Sequence, residues 1–199
     1  MVDKYGTGDD SLCYKGTTTL INLLNITDQS TLDEAEAEIT WLCAEDIEFE
    51  LPPYNLIYFK SLHSSLFQDV YSWAGQLRNI DISKGDTRFC NVNFVEREAN
   101  KVFVALANKD YFEDLTRAEF VIAVSELYGD LNMVHPFREG NGRVQRILFE
   151  HIVANCGYEI SWSDIDKDSW VEANIAAVIC DYSKLESIFD FCIEDLAEQ

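Results

Sequence analysis

The most informative segment of this 199-residue chain reads His135-Pro136-Phe137-Arg138-Glu139-Gly140-Asn141-Gly142-Arg143-Val144-Gln145-Arg146. It lies between two stretches of helical periodicity, predicted over about 114–134 and 142–156. The glycines on either side of Asn141 tolerate a left-handed backbone, so we predict a tight turn that opens the second helix. Several backbone N–H groups of such a turn point the same way, and the helix dipole adds positive charge there. The segment therefore predicts an anion-binding loop.

The charged residues of this segment indicate the kind of anion. Three of the chain's seven arginines, Arg138, Arg143 and Arg146, lie within nine residues, although the formal net charge of the chain is −21. Arg143 and Arg146 are three residues apart and share one face of the first helical turn, so together they favour a polyanionic ligand. Glu139 with phosphate oxygens would suit Mg²⁺. His135 is the nearby residue that can accept a proton near neutral pH.

The same residues admit a structural interpretation. Gly140-Asn141-Gly142 would then be only a helix cap, the arginines would pair with the surplus acid, and His135 would be a buried structural histidine. That interpretation suits each residue taken alone, but the ordered set favours a ligand site. His63 and His151, each alone on a predicted helix, are expected to be structural.

Length and composition limit the class of protein. A chain of 199 residues with 47% apolar and 13% aromatic residues predicts one folded domain, 1–199, and excludes disorder over the whole chain. The charge of −21 argues against nucleic-acid binding through a broad basic face. The N-terminus has no apolar signal region, and no apolar run approaches the ~20 residues that span a bilayer. We therefore expect a cytoplasmic protein that does not associate with a membrane. The cysteines, none in a Cys-x-x-Cys pair, are expected to be reduced thiols.

The rest of the pattern is mostly helical. Residues 1–29 predict an irregular arm. A helix is predicted from Ser30, which with Asp33 resembles a capping box, and its stripe of apolar or small residues is Leu32, Ala35, Ile39, Leu42 and Cys43. Pro52-Pro53 ends it. Further helices are predicted at about 55–73, 94–108, 114–134, 142–156, 167–180 and 182–197. Alternation on both sides of Lys84-Gly85-Asp86 predicts a β-hairpin at 80–92, the one strand pair expected.

At every fixed position, the segment 135–146 matches the signature of the Fic family, H-x-F-x-(D/E)-G-N-G-R-x-x-R. Residues 62–78 and 82–89 also resemble the helix and flap that precede this signature in the family. The arm, with Tyr5-Gly6 and residues 23–27, is similar to the bacterial cell-filamentation branch. The resemblance covers roughly residues 5–195 and implies an all-α Fic fold of about seven to eight helices with one β-hairpin flap over the active site.

The resemblance also implies a reaction and assigns roles. Family members usually transfer AMP from ATP to a hydroxyl of a target protein, so the chain is expected to be a protein adenylyltransferase. His135 would be the catalytic base, Glu139 would hold Mg²⁺ between the α- and β-phosphates, and Arg143 and Arg146 would bind the β- and γ-phosphates. The remaining phosphate-binding residues would be Arg138, Gly140, Asn141 and Gly142.

The predicted hairpin and two aromatic residues gain roles from the same resemblance. The hairpin would be a flap on which an extended target segment adds as a strand, docking along Ser83, Lys84, Gly85 and Phe89. An ordinary capping hairpin is the structural alternative. Phe94 and Trp170 are candidates for flanking the adenine, with core packing as the alternative for each.

Regulation and partners rest on the resemblance as well. Many Fic proteins are inhibited by a helix with the pattern (S/T)-x-x-x-E-(G/N), whose glutamate pairs with the second signature arginine, here Arg146. Ser30 and Glu34 have the spacing, but Ala35 follows; Ser183 and Glu186 are one residue too close. We therefore expect a small antitoxin to supply the glutamate, and the target to be DNA gyrase or topoisomerase IV.

Two other functions stay open at this point. The same fold could transfer another group, namely phosphate, UMP or phosphocholine, although Gly142 and Arg146 favour the usual ATP orientation. A non-catalytic nucleotide-binding interaction module is the second alternative, which the presence of His135 and Asn141 disfavours.

Overall fold

The computed structural model describes residues 11–196. The first ten residues of the predicted arm, including Tyr5-Gly6, and residue 197 of the last predicted helix lie outside them. This part of the chain contains seven α-helices: α1 (Gln29–Glu45), α2 (Leu56–Phe67), α3 (Val95–Ala107), α4 (Arg117–Val134), α5 (Asn141–Asn155), α6 (Lys167–Ala177) and α7 (Ser183–Cys192). Short 3-10 turns cover Val92–Phe94 and Asp110–Phe112. The predicted all-α fold is confirmed, and none of these helices is long and apolar enough to cross a membrane.

Helices α4 and α5 form the centre of the fold and are joined by the signature loop. α4 packs against α3, α5, α6 and α7, while α5 packs against α2 and α4. A capping box fixes the start of α4: the Thr116 hydroxyl accepts from the Glu119 N–H, and the Glu119 carboxylate accepts from the Thr116 N–H. More than half of the residues of both helices are buried, and the apolar ones among them belong to one core. The loop between them is therefore anchored at both ends by helices that pack into the core.

Helix α1 differs from its prediction in both its cap and its buried face. Asp28, rather than Ser30, is the N-cap, and its carboxylate accepts from the Thr31 N–H at 2.9 Å. The buried stripe is Leu32, Glu36 and Thr40, whereas the predicted Leu42 is half-exposed. This helix thus turns two polar side chains toward the protein interior.

Helix α2 confirms the helix predicted from about residue 55 but is shorter than expected. Leu56, Phe59, Leu62, Leu66 and Val70 are all buried. The helix ends at Phe67, and tight turns over 68–75 take its place because the Phe67 carbonyl accepts from the N–H groups of both Val70 and Tyr71. α6 likewise ends at Ala177, before the predicted boundary.

The strands are few and short. The predicted hairpin is present, with β1 (Ser83–Lys84) and β2 (Thr87–Arg88) antiparallel, but it pairs over far fewer residues than 80–92. The expectation of one strand pair was wrong, since β3 (Tyr158–Ile160) pairs with β4 (Ile193–Asp195). This second pair ties the chain after α5 to the chain after α7. All six cysteines are free thiols.

Candidate active site

The signature loop begins with a strained backbone at His135. This residue caps the C-terminus of α4 with φ 47° and ψ 62°, and its N–H donates to the Leu131 carbonyl at 3.2 Å. A left-handed conformation costs a non-glycine residue about 1–2 kcal/mol. The surrounding structure must hold His135 in place to offset this cost.

Arg78 holds the loop from one side. Its guanidinium is buried and donates to the carbonyls of His135 (2.8 Å) and Val134 (3.3 Å), and on the flap side to those of Ile80 (2.6 Å) and Cys90. The Arg78 N–H also donates to the Pro136 carbonyl at 2.9 Å. One side chain therefore ties the base of the flap to the residue that carries the imidazole.

His63 holds the loop from behind. Its Nδ1 accepts from the Gly75 N–H at 2.9 Å, so its Nε2 carries the proton and donates to the Glu139 carbonyl at 3.0 Å. The ring stacks on Phe137 with centroids 4.0 Å apart, and burial lowers the pKa of His63 to about 4. The predicted structural role of His63 fits this neutral, fully buried position.

Gly140 and Asn141 fix the turn itself. The Asn141 side chain accepts from the Phe137 N–H and donates to the Phe137 carbonyl, both at 2.8 Å. Gly140 has φ 79°, and a Cβ there would meet the Phe67 ring at 2.2 Å. At Gly142 a Cβ would meet nothing within 4 Å, so the backbone at the start of α5 is open to a close ligand. The first N–H groups of a helix lack intrahelical acceptors, as an anion-binding turn requires.

The imidazole of His135 is covered by the flap. The Phe89 ring stacks on it with centroids 3.8 Å apart and 14° between planes. Its Nδ1 lies 3.1 Å from the Asn132 carbonyl, which only accepts, so Nδ1 carries the proton of the neutral ring and Nε2 is the basic atom. Burial is the main cause that lowers the pKa of His135 to about 3. The ring is therefore neutral at physiological pH.

The charged side chains of the segment meet in one cavity of about 800 Å³. Its walls include Arg138, Glu139, Arg143 and Arg146, together with residues of α1, α5 and the loop before α6. Arg138 is buried, whereas Arg146 is exposed and makes no ion pair with any residue in the range 11–196. His135 does not line this cavity and lies at the other end of the loop, under the flap.

Glu139 is the carboxylate of the segment that the resemblance assigns to a metal ion. Its Oε1 accepts from the Gly140 N–H at 2.9 Å and lies 3.7 Å from Arg143 Nη2. Within residues 11–196 no cluster of three His, Cys, Asp or Glu side chains could hold a metal ion. A single carboxylate fits Mg²⁺ that arrives with the phosphates of a nucleotide, because Mg²⁺ is commonly bound by one carboxylate plus substrate oxygens.

The residues predicted for the flap and for the adenine pocket differ in their exposure and contacts. Lys84 and Gly85 are exposed at the tip of the hairpin and Ser83 is half-buried, while Phe89 points inward onto His135 rather than toward an incoming chain. Phe94 is half-exposed and contacts the Arg97 guanidinium. Trp170 packs on Tyr128 in an aromatic cluster.

The sequence analysis missed four residues at this site. Glu36 and Thr40 approach the loop from α1, Arg78 from the base of the flap, and Trp162 from the segment before α6. Trp162 Nε1 donates to Glu150 at 2.7 Å, and its ring lies 5.9 Å from the Arg146 guanidinium. The polar members of the α1 stripe, four residues apart, are the one sequence signal that could have revealed this face.

Comparison with known proteins agrees with the signature. The model of the Fic/DOC family matches residues 53–153, about half of the chain. The chain belongs to the Fic/DOC family. A relative from Escherichia coli strain K12, named a probable protein adenylyltransferase Fic, is 38% identical over all of this chain and 99% of its own length. The protein adenylyltransferase VbhT of Bartonella schoenbuchensis is 32% identical over 86% of this chain, which spans 36% of that longer protein.

Solved Fic structures support the fold and carry nucleotides. The Fic domain of a Bartonella quintana effector with bound ADP has a TM-score of 0.85 and 27% identity, covering 94% of this chain and 95% of its own. BepC of Bartonella tribocorum with bound AMPPNP has a TM-score of 0.84 and 26% identity, covering 93% and 97%. The Fic fold predicted from the signature is confirmed.

Proposed function

We propose that this Fic protein is a protein adenylyltransferase that moves AMP from Mg-ATP to a Ser, Thr or Tyr hydroxyl of a target protein. The observation that carries the proposal is the loop between α4 and α5. It combines a neutral imidazole, with its proton on Nδ1, and a helix N-terminus lined by three arginines. Relatives named protein adenylyltransferases and neighbours with bound ADP or AMPPNP support it.

The proposed reaction uses each end of the loop for one task. His135 Nε2 accepts the proton of the target hydroxyl while the oxygen attacks the α-phosphorus of ATP. The bond from that phosphorus to the bridging oxygen of the β-phosphate breaks, and pyrophosphate leaves. A neutral base is required here because an imidazolium has no lone pair to accept the proton.

The phosphate-binding roles follow from the cavity. Arg143 would bind the β-phosphate and Arg146 the γ-phosphate, while the N-terminal N–H groups of α5 and the buried Arg138 would stabilise the charge of the transition state. Because the Asn141 amide already bonds to Phe137, we assign Asn141 to the phosphates through its backbone N–H. Glu139 would hold Mg²⁺, which would offset the negative charge of the phosphates.

The flap is the proposed docking site of the target. An extended segment would pair with the hairpin at Ser83, Lys84 and Gly85, which supplies affinity through backbone hydrogen bonds with little sequence preference. Phe89 covers His135, so docking must move this ring or pass beside it. Adenine contacts by Phe94 and Trp170 remain proposals, of which Trp170 has the closer link to Arg146, 5.9 Å from its ring.

Labelled ATP tests the reaction. With ATP labelled at the α-phosphate, the target protein should acquire label, and with the γ-phosphate labelled it should not. Transfer of γ-label would instead indicate a kinase-like reaction. UMP or phosphocholine transfer would appear as label from UTP or a choline nucleotide, and no transfer with intact ATP binding would indicate a non-catalytic module.

Arg146 has no ion-pair partner among residues 11–196, which supports the proposal that a separate antitoxin inhibits this protein. The two glutamates considered from sequence do not pair with it: Glu34 is exposed on α1, and Glu186 lies on α7. A partner helix in the cavity between α1 and α5 could bring a glutamate to Arg146 and compete with the γ-phosphate. Co-expression with small proteins encoded beside this chain tests the idea, and failure of every one to repress transfer would contradict it.

The target proposed by resemblance is the ATPase subunit of DNA gyrase or topoisomerase IV. Purified subunits incubated with the protein and Mg-ATP should gain one AMP, seen by mass spectrometry. A lysate treated in parallel identifies another target if the topoisomerases stay unmodified.

A further inference from the structure

Arg143 is held by a helix outside the signature loop. Its Nη2 forms an ion pair with Glu36 of α1, and its Nη1 donates to the Thr40 hydroxyl at 3.0 Å. The Phe67 ring lies beneath the guanidinium, 4.7 Å from its centre. The guanidinium of this signature arginine is therefore bonded on one edge and stacked on one face before any ligand is present.

Glu36 is itself fixed in place. The side chain is buried, with one carboxylate oxygen accepting from Arg143 and the other from the Tyr71 hydroxyl. The Thr40 hydroxyl donates to the Glu36 carbonyl at 2.7 Å, which also orients Thr40 for its contact with Arg143. A buried carboxylate is costly unless each oxygen is satisfied, and here both are.

This arrangement has a consequence for ligand binding. A free arginine side chain loses rotamer entropy when a ligand immobilises it. Glu36 and Thr40 make that loss part of folding, so a phosphate meets a guanidinium already in position. Arg143 remains one-third exposed, which leaves part of its surface for the ligand.

We infer that Glu36 is a positioning residue that orients Arg143 for the β-phosphate of the nucleotide. Tyr71 supports Glu36 in this role. The inference rests on the proposed function, because it takes Arg143 as the β-phosphate ligand. It adds α1, which lies outside the family match at 53–153, to the phosphate-binding machinery.

Binding of ADP and AMP in the presence of Mg²⁺ tests the inference by calorimetry. Glu36→Gln should weaken ADP binding about tenfold, roughly the free energy of one charge-assisted hydrogen bond. AMP, which has no β-phosphate, should bind within about twofold of the wild-type value. A general loss of structure would weaken both ligands alike, so the ratio of the two Kd values separates orientation from folding.

Four further variants make the test decisive. Glu38→Gln makes the same charge change at an exposed position of α1 and should leave the ADP-to-AMP ratio unchanged. Arg143→Ala should reduce ADP binding selectively, and adding Glu36→Gln to it should cause no further loss. Tyr71→Phe, which keeps the ring, should give a smaller loss of the same kind and serves if Glu36→Gln does not fold.

The outcomes distinguish the positioning role of Glu36 from the proposed β-phosphate role of Arg143. Unchanged or tighter ADP binding by both Glu36→Gln and Tyr71→Phe, with Arg143→Ala impaired, overturns the positioning role of Glu36. If Arg143→Ala itself leaves the ratio unchanged, the proposed β-phosphate role of Arg143 fails.

Discussion

The signature loop and the flap are built in opposite ways. The loop joins the two central helices, and its backbone is bonded by the side chains of His63, Arg78 and Asn141. The flap has strands of two residues each, and its buried apolar residues, Ile82 and Phe89, form a small cluster apart from the main core. The rigid region would perform the chemistry, while the lightly held one would meet a target of variable sequence.

His135→Ala should have the largest effect, and it should fall on the chemistry of the signature loop. We expect AMP transfer to fall by about 10²–10⁴, because the general base is lost. Binding of a non-hydrolysable ATP analogue should be nearly unchanged, since the imidazole lies outside the phosphate cavity. Incorporation of α-label and a binding titration measure the two effects. Equal loss of binding and transfer would show that the loop had rearranged.

Arg78→Lys should weaken the connection between the two regions. A lysine ammonium cannot reach the four carbonyls that the guanidinium bonds, so buried acceptors are left unpaired. We expect the free energy of unfolding to drop by about 1.5–3 kcal/mol, with a lower rate of AMP transfer. Urea unfolding measures the first effect. Arg97→Lys, at an exposed arginine, is the control, and equal stability of the two variants would contradict the role given to Arg78.

Phe89→Ala should expose the imidazole of His135. Burial holds the pKa of His135 near 3, so admitting water should raise it toward the ordinary histidine value of about 6.5. A base is lost when it is protonated, and the acid limb of kcat/KM against pH should therefore move to higher pH. Phe191→Ala, on the exposed side of α7, should leave the profile in place. An unmoved acid limb in Phe89→Ala would show that the ring does not control the titration.

Asp81→Asn tests how weakly the flap is attached. The Asp81 carboxylate accepts from the Val92 N–H at 2.7 Å, and this bond is the main cause that lowers the pKa of Asp81. The contact stabilises the flap fully at pH values above the ordinary aspartate pKa. This stabilisation is lost as the pH falls through the lowered pKa of Asp81 in the folded protein. At pH 7 the variant should exchange the amide hydrogens of 80–92 about two- to threefold faster, as expected for an exposed contact. After correction for intrinsic exchange rates, the amide exchange rate of the wild-type flap should approach that of the variant at acidic pH. A ratio of the two rates that does not change with pH would contradict this.

The parts of the fold that local pattern encodes were predictable. The apolar stripes give α3, α4 and α5 within a few residues, and the Gly140-Asn141-Gly142 turn gives the start of α5. The prediction of the buried face of α1 was wrong because Glu36 is buried in an ion pair with Arg143. The two residues are 107 positions apart, so no local hydrophobic pattern indicates this contact. The β3–β4 pair was missed because three-residue strands are too short to show alternation.

The features of the site that depend on local sequence were likewise predictable, and those that depend on distant contacts were not. Clustering of Arg138, Arg143 and Arg146 around a glycine turn predicted one charged cavity, and the structure places all three there. Sequence could not tell that the Asn141 amide bonds to Phe137, or that Phe89 covers His135, because both depend on side-chain directions set by distant elements.

The carboxylate on α1 also bears on how small this enzyme can be made. A fragment cut to the recognisable stretch 53–153 would keep every signature residue but would leave Arg143 with neither Glu36 nor Thr40. It would also uncover the apolar surface that Leu32, Leu185 and Phe189 bury. The folded unit that holds Arg143 in place is thus longer than the stretch 53–153 by which the family is recognised.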